Sequence, residues 1–189
     1  MKYGVKSITM DDVARDLGIS KKTLYVHFDN KNDLVNQVTA YHFSQENCAV
    51  NEIRNVSKNA IDELLNISSW MTTNMKGMNP TLVYDLRRYH PDSWQKFEQH
   101  KAKEVYQLML NNIHRGIKEE LYRNDLHPEI LARIYIGRME IIIDTDLFPP
   151  DVYSFQDTHR EFITYHIRGL ASLKGIKYLE KHQNKTNVA

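Results

Sequence analysis

Apolar residues recur at intervals of three and four along almost the whole chain, and strand-like alternation is nearly absent. Gly18, Gly77, Pro80, Pro91, Pro128, Pro149 and Pro150 fall between the periodic stretches rather than inside them. The pattern predicts an all-α chain: a short-helix head, then helices from Asn30 to about Arg54, Asn59 to about Met75 and Pro80 to Tyr89. Three longer pieces follow, Pro91 to about Tyr122 with Gly116 as a weak point, Asp125 to Phe148, and Phe155 to about His182. The run Ile141 to Ile143 continues the helical pattern of Ile130, Leu131, Ile134, Tyr135 and Met139, so it reads as helix. Pro149-Pro150-Asp151 breaks the last pair, and the polar tail is expected to fray.

The densest signals lie between Ile8 and Leu34. Thr9 with Asp12 forms a T-x-x-D capping box, and Ile8 and Val13 are placed as its hydrophobic staple. Met10, Val13, Ala14 and Leu17 share one face of that helix. Gly18 follows where a left-handed residue ends a helix at little cost. Ser20 caps a second helix, with Ile19 and Leu24 as the staple. Leu24 and Phe28, one turn apart, face the core, Lys22 and Val26 point away, and Lys21, Thr23 and Tyr25 lie on the flanks. Two lysines in a first turn oppose the helix dipole, which favours acids there, but they suit a nearby phosphate or base edge. Asn30 caps a third helix, with Lys31 beside its exposed N–H groups. Capping boxes and surface lysines are common singly. A capped helix, glycine turn, capped basic helix and capped long helix in one short run spell a helix-turn-helix that reads DNA.

Composition narrows the setting. The chain has 189 residues, 41% of them hydrophobic and 26% charged, enough for a real core. The net charge is only +1, so DNA affinity has to come from a local patch. A single cysteine, Cys48, excludes an internal disulfide and a cysteine-only zinc site, and a reducing cytoplasm is expected. No stretch approaches the ~20 apolar residues that cross a bilayer.

The string TMDDVARDLGISKKTLYVHFDNKNDL closely resembles the DNA-binding head of the TetR family of bacterial transcription regulators. The elements that carry the resemblance are Val13-Ala14, Gly18, Ser20, Thr23-Leu24-Tyr25, His27-Phe28, Lys31 and Leu34. It implies a DNA-binding head at 1–45 and a helical ligand-binding and dimerisation domain at 46–189. It implies further that Lys21, Lys22, Thr23, Tyr25, Val26 and His27, with Ser20 at the helix start, face the major groove of double-stranded DNA, and that Lys31 holds a phosphate. Homodimers of such a protein would meet a near-palindromic operator whose half-sites lie about one turn, ~34–36 Å, apart or a multiple of it. Family members carry a full helix before the glycine that Gly4 matches, whereas here Met1-Lys2-Tyr3 precede it. The sequence as it stands is therefore expected to have an incomplete head, with Val13, Leu17 and Phe28 uncovered and DNA binding weakened. Lost apolar cover at ~25 cal/mol per Å² could cost such a head several kcal/mol.

The remaining helices are rich in Met, Trp, Tyr and His. The resemblance places a small-molecule effector among them, and the residues best suited to line its site are Trp70, Met71, Met75, Tyr84, Tyr106, Met109, Tyr135 and Met139. Plain core filling is the alternative for each. Asp144 and Asp146, at the end of an apolar helix, either meet a cationic group or are simply exposed. His90, His100, His114, His127, His159, His166 and His182 match no metal-binding spacing, so no metal is expected, nor any cofactor. Ile130, Leu131, Ile134, Ile142 and Ile143, with Phe162, Ile163, Ile167, Leu170, Leu173 and Ile176, give the last two helices wide apolar faces. They would either join two subunits or complete one core.

The expected function is a ligand-responsive transcription regulator, a repressor released from its operator by an effector. The alternative is a dimeric helical small-molecule-binding protein whose incomplete head does not read DNA. No G-x-S-x-G, phosphate loop or paired acid–base constellation points to an enzyme.

Overall fold

The computed structural model describes residues 4–75 and 81–186, with side chains described as far as His182. Met1-Lys2-Tyr3, the expected helix start at Pro80 and the last residues of the tail lie outside the described residues. The described residues are all-α: α1 Met10–Asp16, α2 Lys21–His27, α3 Lys31–Val56, α4 Ala60–Asn74, α5 Leu82–Tyr89, α6 Pro91–His100, α7 Tyr106–Lys118, α8 Pro128–Met139, α9 Phe155–Leu170 and α10 Leu173–Thr186. A π-helical turn at Lys101–Val105 precedes α7, and a 3-10 turn at Ile141–Ile143 follows α8. The chain forms two compact units, one of Met1–Cys48 with Gly77–His100, the other of Ala49–Lys76 with Lys101–Ala189.

Within the first unit, Met10, Ala14 and Leu24 form a small buried cluster, against which Val13, Phe28 and Leu34 pack. Val13 and Phe28 are thus covered, against the expectation for an incomplete head, whereas Leu17 is uncovered as expected, at 61% exposure. It is the C-cap of α1, at the edge of the Gly18 turn.

The second unit has the larger core, built from Ile61 and Leu64 of α4, Met109 and Ile113 of α7, Ala132 and Tyr135 of α8, Ile163, Ile167 and Leu170 of α9 and Leu179 of α10. The helix expected from Phe155 to about His182 is broken at Ala171, and that break pairs with the end of α7. α7 ends at Lys118, where Glu120 takes a left-handed φ of 61° and the Gly116 carbonyl accepts from the N–H groups of Leu121 and Tyr122. Gly116 must lack a side chain, because a Cβ there would lie 2.1 Å from the Tyr122 ring. The freed segment bonds across to the joint between α9 and α10: Arg123 N–H donates to the Leu170 carbonyl at 2.9 Å, and Ser172 N–H to that of Leu121 at 2.9 Å. Ser172 then caps α10 by accepting from Gly175 N–H at 3.1 Å.

A buried polar network stiffens the same unit. Arg115 bonds to Glu63 at 2.7 Å, to Glu119 at 2.8 Å and to the Ser57 carbonyl at 2.8 Å. Glu119 also accepts from Ala60 N–H, whose carbonyl accepts from Asn112, and Asn112 accepts from the Tyr122 hydroxyl. Burial pushes the Tyr122 phenol well above its ordinary pKa, so it stays a donor. The predicted helix over Asp125 to Phe148 is shorter than expected, ending at Met139. Asp144 is exposed and caps a turn, accepting from the N–H groups of Asp146 and Leu147. Satisfying backbone donors there explains an acid at that position without a cationic ligand.

Candidate nucleic-acid interface

The head is assembled by local capping. Thr9 accepts from Asp12 N–H, and the Asp12 carboxylate accepts from Thr9 N–H at 2.9 Å, the reciprocal box expected from the sequence. The Thr9 hydroxyl, donating to the Asp12 carboxylate at 2.6 Å, and then the Thr9 N–H hold that carboxyl below its ordinary pKa. Gly18 takes a φ of 66°, the left-handed conformation a glycine adopts freely. Ser20 then caps α2, accepting from Thr23 N–H at 3.0 Å. Asn30 caps α3 by accepting from Asp33 N–H at 3.0 Å, and Asp33 accepts in turn from Asp29 N–H.

These caps fix which side of α2 faces outward. Leu24 is 2% exposed, whereas Lys21, Lys22, Thr23, Tyr25, Val26 and His27 are all exposed, Val26 to 75%. Ser20 is exposed at the helix start. The first turn of α2 contains no acid. Lys21 is partly engaged, bonding to Asp11 at 2.7 Å and lying 6.0 Å above the Tyr25 ring, and the Asp11 carboxylate raises its pKa. Lys31, just beyond α2, donates from Nζ to the Lys6 carbonyl at 3.0 Å. The surface is a short cationic-aromatic ridge of lysines, a phenol, an imidazole and a valine methyl pair. Lysines can donate to guanine O6 and N7, and methyl groups can meet thymine.

The residues expected to line an effector site are distributed unevenly. Met109 and Tyr135 belong to the core of the second unit, with Tyr106 and Met139 packed against it. Trp70, Met71 and Met75 are half-buried along the C-terminal end of α4. Tyr84 lies on α5 in the first unit and is 63% exposed. Two histidines also stand in this region. His159 is buried against Ser68, ring nitrogen to hydroxyl 3.0 Å, and His166 lies 4.9 Å from the Tyr135 ring centroid. Burial pushes both imidazoles down to about 4, with Arg138 adding to the effect at His166, so they are neutral at pH 7. Their spacing of seven, in phase with Ile163 and Ile167, is the sequence signal that puts them on the inner face of α9. Ile163, Ile167 and Leu170 of the apolar faces considered for dimerisation are spent in this core, whereas Ile130, Ile134 and Leu173 remain exposed.

Residues 1–38 match the model of the bacterial regulatory proteins of the tetR family. The chain is 27% identical over 141 residues to the HTH-type transcriptional regulator YvaF of Bacillus subtilis, covering 74% of this chain and 73% of that one. Among solved structures, a TetR-family transcriptional regulator from Agrobacterium tumefaciens shares the fold at a TM-score of 0.72 and 12% identity, covering 89% of this chain and 90% of that one. The fatty acid degradation regulator FadR from Bacillus halodurans does so at 0.71 and 13%, covering 89% and 88%. No described helix is long and apolar enough to cross a membrane. The chain thus carries a head similar to that of the tetR-family regulators at residues 1–38 and shares an all-helical fold with solved TetR-family structures over nearly its whole length.

Proposed function

We propose that the chain is a ligand-responsive repressor that binds double-stranded DNA as a homodimer and leaves its operator when a small molecule binds its helical body. The head at 1–45 reads DNA, and 46–189 bind the effector and join the subunits through the last two helices. The reading rests above all on α2, which buries Leu24 and turns Lys21, Lys22, Thr23, Tyr25, Val26 and His27 outward with no acid in its first turn. A helix built only for stability would carry acids there. In this reading Lys22 and Val26 contact base edges, Tyr25 packs along the backbone, Ser20 supports the helix start and Lys31 grips a phosphate.

The effector site is drawn from Trp70, Met71, Met75, Tyr106, Met109, Tyr135 and Met139 of the second unit, which combine adaptable thioethers with rings bearing polar tips. Release needs an effector that binds the DNA-incompetent arrangement more tightly than the competent one. Its differential affinity sets the size of the response.

A gel-shift titration on the DNA upstream of the chain's own gene tests the reading. Retardation is expected, weakened at least tenfold by Lys22→Ala and reversed by an effector found in a metabolite screen. No retardation of any upstream fragment would refute it.

A further inference from the structure

The first unit contains a contact that the DNA-reading surface does not by itself require. Asp85, on α5, is only 5% exposed, and its carboxyl accepts from Lys6 N–H at 3.0 Å. The backbone at Gly4 approaches so closely that a Cβ there would lie 2.4 Å from Asp85 Oδ2 and 2.8 Å from Thr81 Oγ1. The same short segment is held from its other side. The Lys6 carbonyl accepts from Lys31 Nζ, and the Lys6 ammonium lies 4.8 Å above the ring of Tyr89, also on α5. One residue on, His90 pairs with Asn32 in the first turn of α3, ring nitrogen to amide oxygen 2.8 Å.

We infer that Asp85 is a positioning residue for DNA binding: by fixing the Lys6 peptide it holds the ammonium of Lys31 in place to take a phosphate. The inference rests on the reading of Lys31 as a phosphate grip given above. A lysine ammonium has three donors, so one can stay on the Lys6 carbonyl while the others meet phosphate oxygens. Without that carbonyl the four-carbon side chain would have to be immobilised on binding, at a cost in affinity. Asp85 stands 54 residues beyond Lys31 in sequence and reaches it through the Lys6 peptide. Gly4 is required for the same reason, because any larger residue would push the segment off the buried carboxyl.

Salt dependence separates this role from a merely structural one. Each phosphate neutralised by a lysine contributes about 0.9 to the slope of log K against log salt. Binding of the full chain to a 40-base-pair duplex from its own upstream region, and to a scrambled duplex of equal length, is followed by fluorescence anisotropy across a salt series. Lys31→Ala is expected to make the slope shallower by about one contact. Asp85→Ala and Gly4→Ala are expected to weaken binding roughly three- to tenfold and to make the slope shallower in the same direction, on both duplexes. In the Lys31→Ala background, Asp85→Ala should change the slope no further. Asp85→Asn, which keeps an oxygen to accept from Lys6 N–H, should restore most of the slope.

A normal slope in both Asp85→Ala and Gly4→Ala beside a reduced one in Lys31→Ala overturns the positioning role and leaves the phosphate grip standing. An unchanged slope in Lys31→Ala overturns both. Should Asp85→Ala fail to fold by circular dichroism, Gly4→Ala, which leaves the carboxyl intact, carries the test.

Discussion

The head closes on three small contacts among neighbours in sequence, Met10, Ala14 and Leu24, whereas the body's core draws on five helices spread over more than a hundred residues. The starts of the head's helices are fixed by caps that each join residues three apart: Thr9 with Asp12, Ser20 with Thr23, Asn30 with Asp33. Lys6 and Asn32 are also held by Asp85 and His90. The body is fixed by bonds between distant residues, such as Arg115 to Glu63 and Arg123 to Leu170. A head of this kind can present α2 with little apolar burial, because it has to orient one short helix. The body needs a core that holds its shape while still offering adaptable side chains to a ligand.

The contrast predicts that acid should strike the body first. His159 and His166 are held neutral with pKa values near 4, but in the unfolded chain they take up protons near 6.5. The unfolded state therefore binds more protons as pH falls from about 6.5 to about 4. Stability is full above that window and drops through it, by on the order of 6 kcal/mol for the two together at its lower end. Urea unfolding followed by Trp70 fluorescence, in a Trp94→Phe background, should show this loss, and His166→Phe should remove part of it. A body equally stable at pH 7 and pH 4.5 would contradict the burial argument.

Breaking the polar network should come next. Arg115→Ala leaves the Glu63 carboxyl, 1% exposed on its side chain, without its cation, and should cost the body about 3 kcal/mol. Gly116→Ala drives a methyl group into the Tyr122 ring and should cost about 2 kcal/mol. Both belong to the body, so hydrogen exchange in α1 and α2 should be unchanged. If either variant loosens the head equally, the separation between the two regions is wrong.

The smallest effects should fall on the head. Ser20→Ala removes the cap of α2 and should cost about 1 kcal/mol, read as faster amide exchange at Lys22 and Thr23. That loss is minor against the body's stability but large for a head with so little buried.

The same contrast explains what could be read in the sequence. Every cap of the head was legible, and so was the inward side of α2, because Thr9, Gly18, Ser20 and Asn30 act on residues within one turn. Leu17 is uncovered as expected, whereas Val13 and Phe28, expected to be uncovered with it, pack against the Met10, Ala14 and Leu24 cluster, a closure that periodicity alone does not show. The helix end at Lys118 was legible to within a few residues, through Gly116 and the expected end near Tyr122. The break at Ala171 was not, since the apolar period runs through it and the cause is the bonding of residues 121–123 to 170–172. Ser172, which caps α10, was the one local clue. The effector-site candidates were legible only as composition. Met109 and Tyr135 sit in the core and Tyr84 lies exposed on the other unit, distinctions that depend on which helices pack together.

The central claim is that the outward side of α2 reads the major groove, and methylation protection at guanine N7 addresses it most directly. On a bound upstream fragment, the wild-type chain should protect guanines in two patches about 10 base pairs apart or a multiple of that. Lys22→Ala, with its helix intact by circular dichroism, should lose protection at specific guanines while backbone contacts persist. Protection identical in Lys22→Ala, or no N7 protection on DNA that the chain binds, would contradict the account.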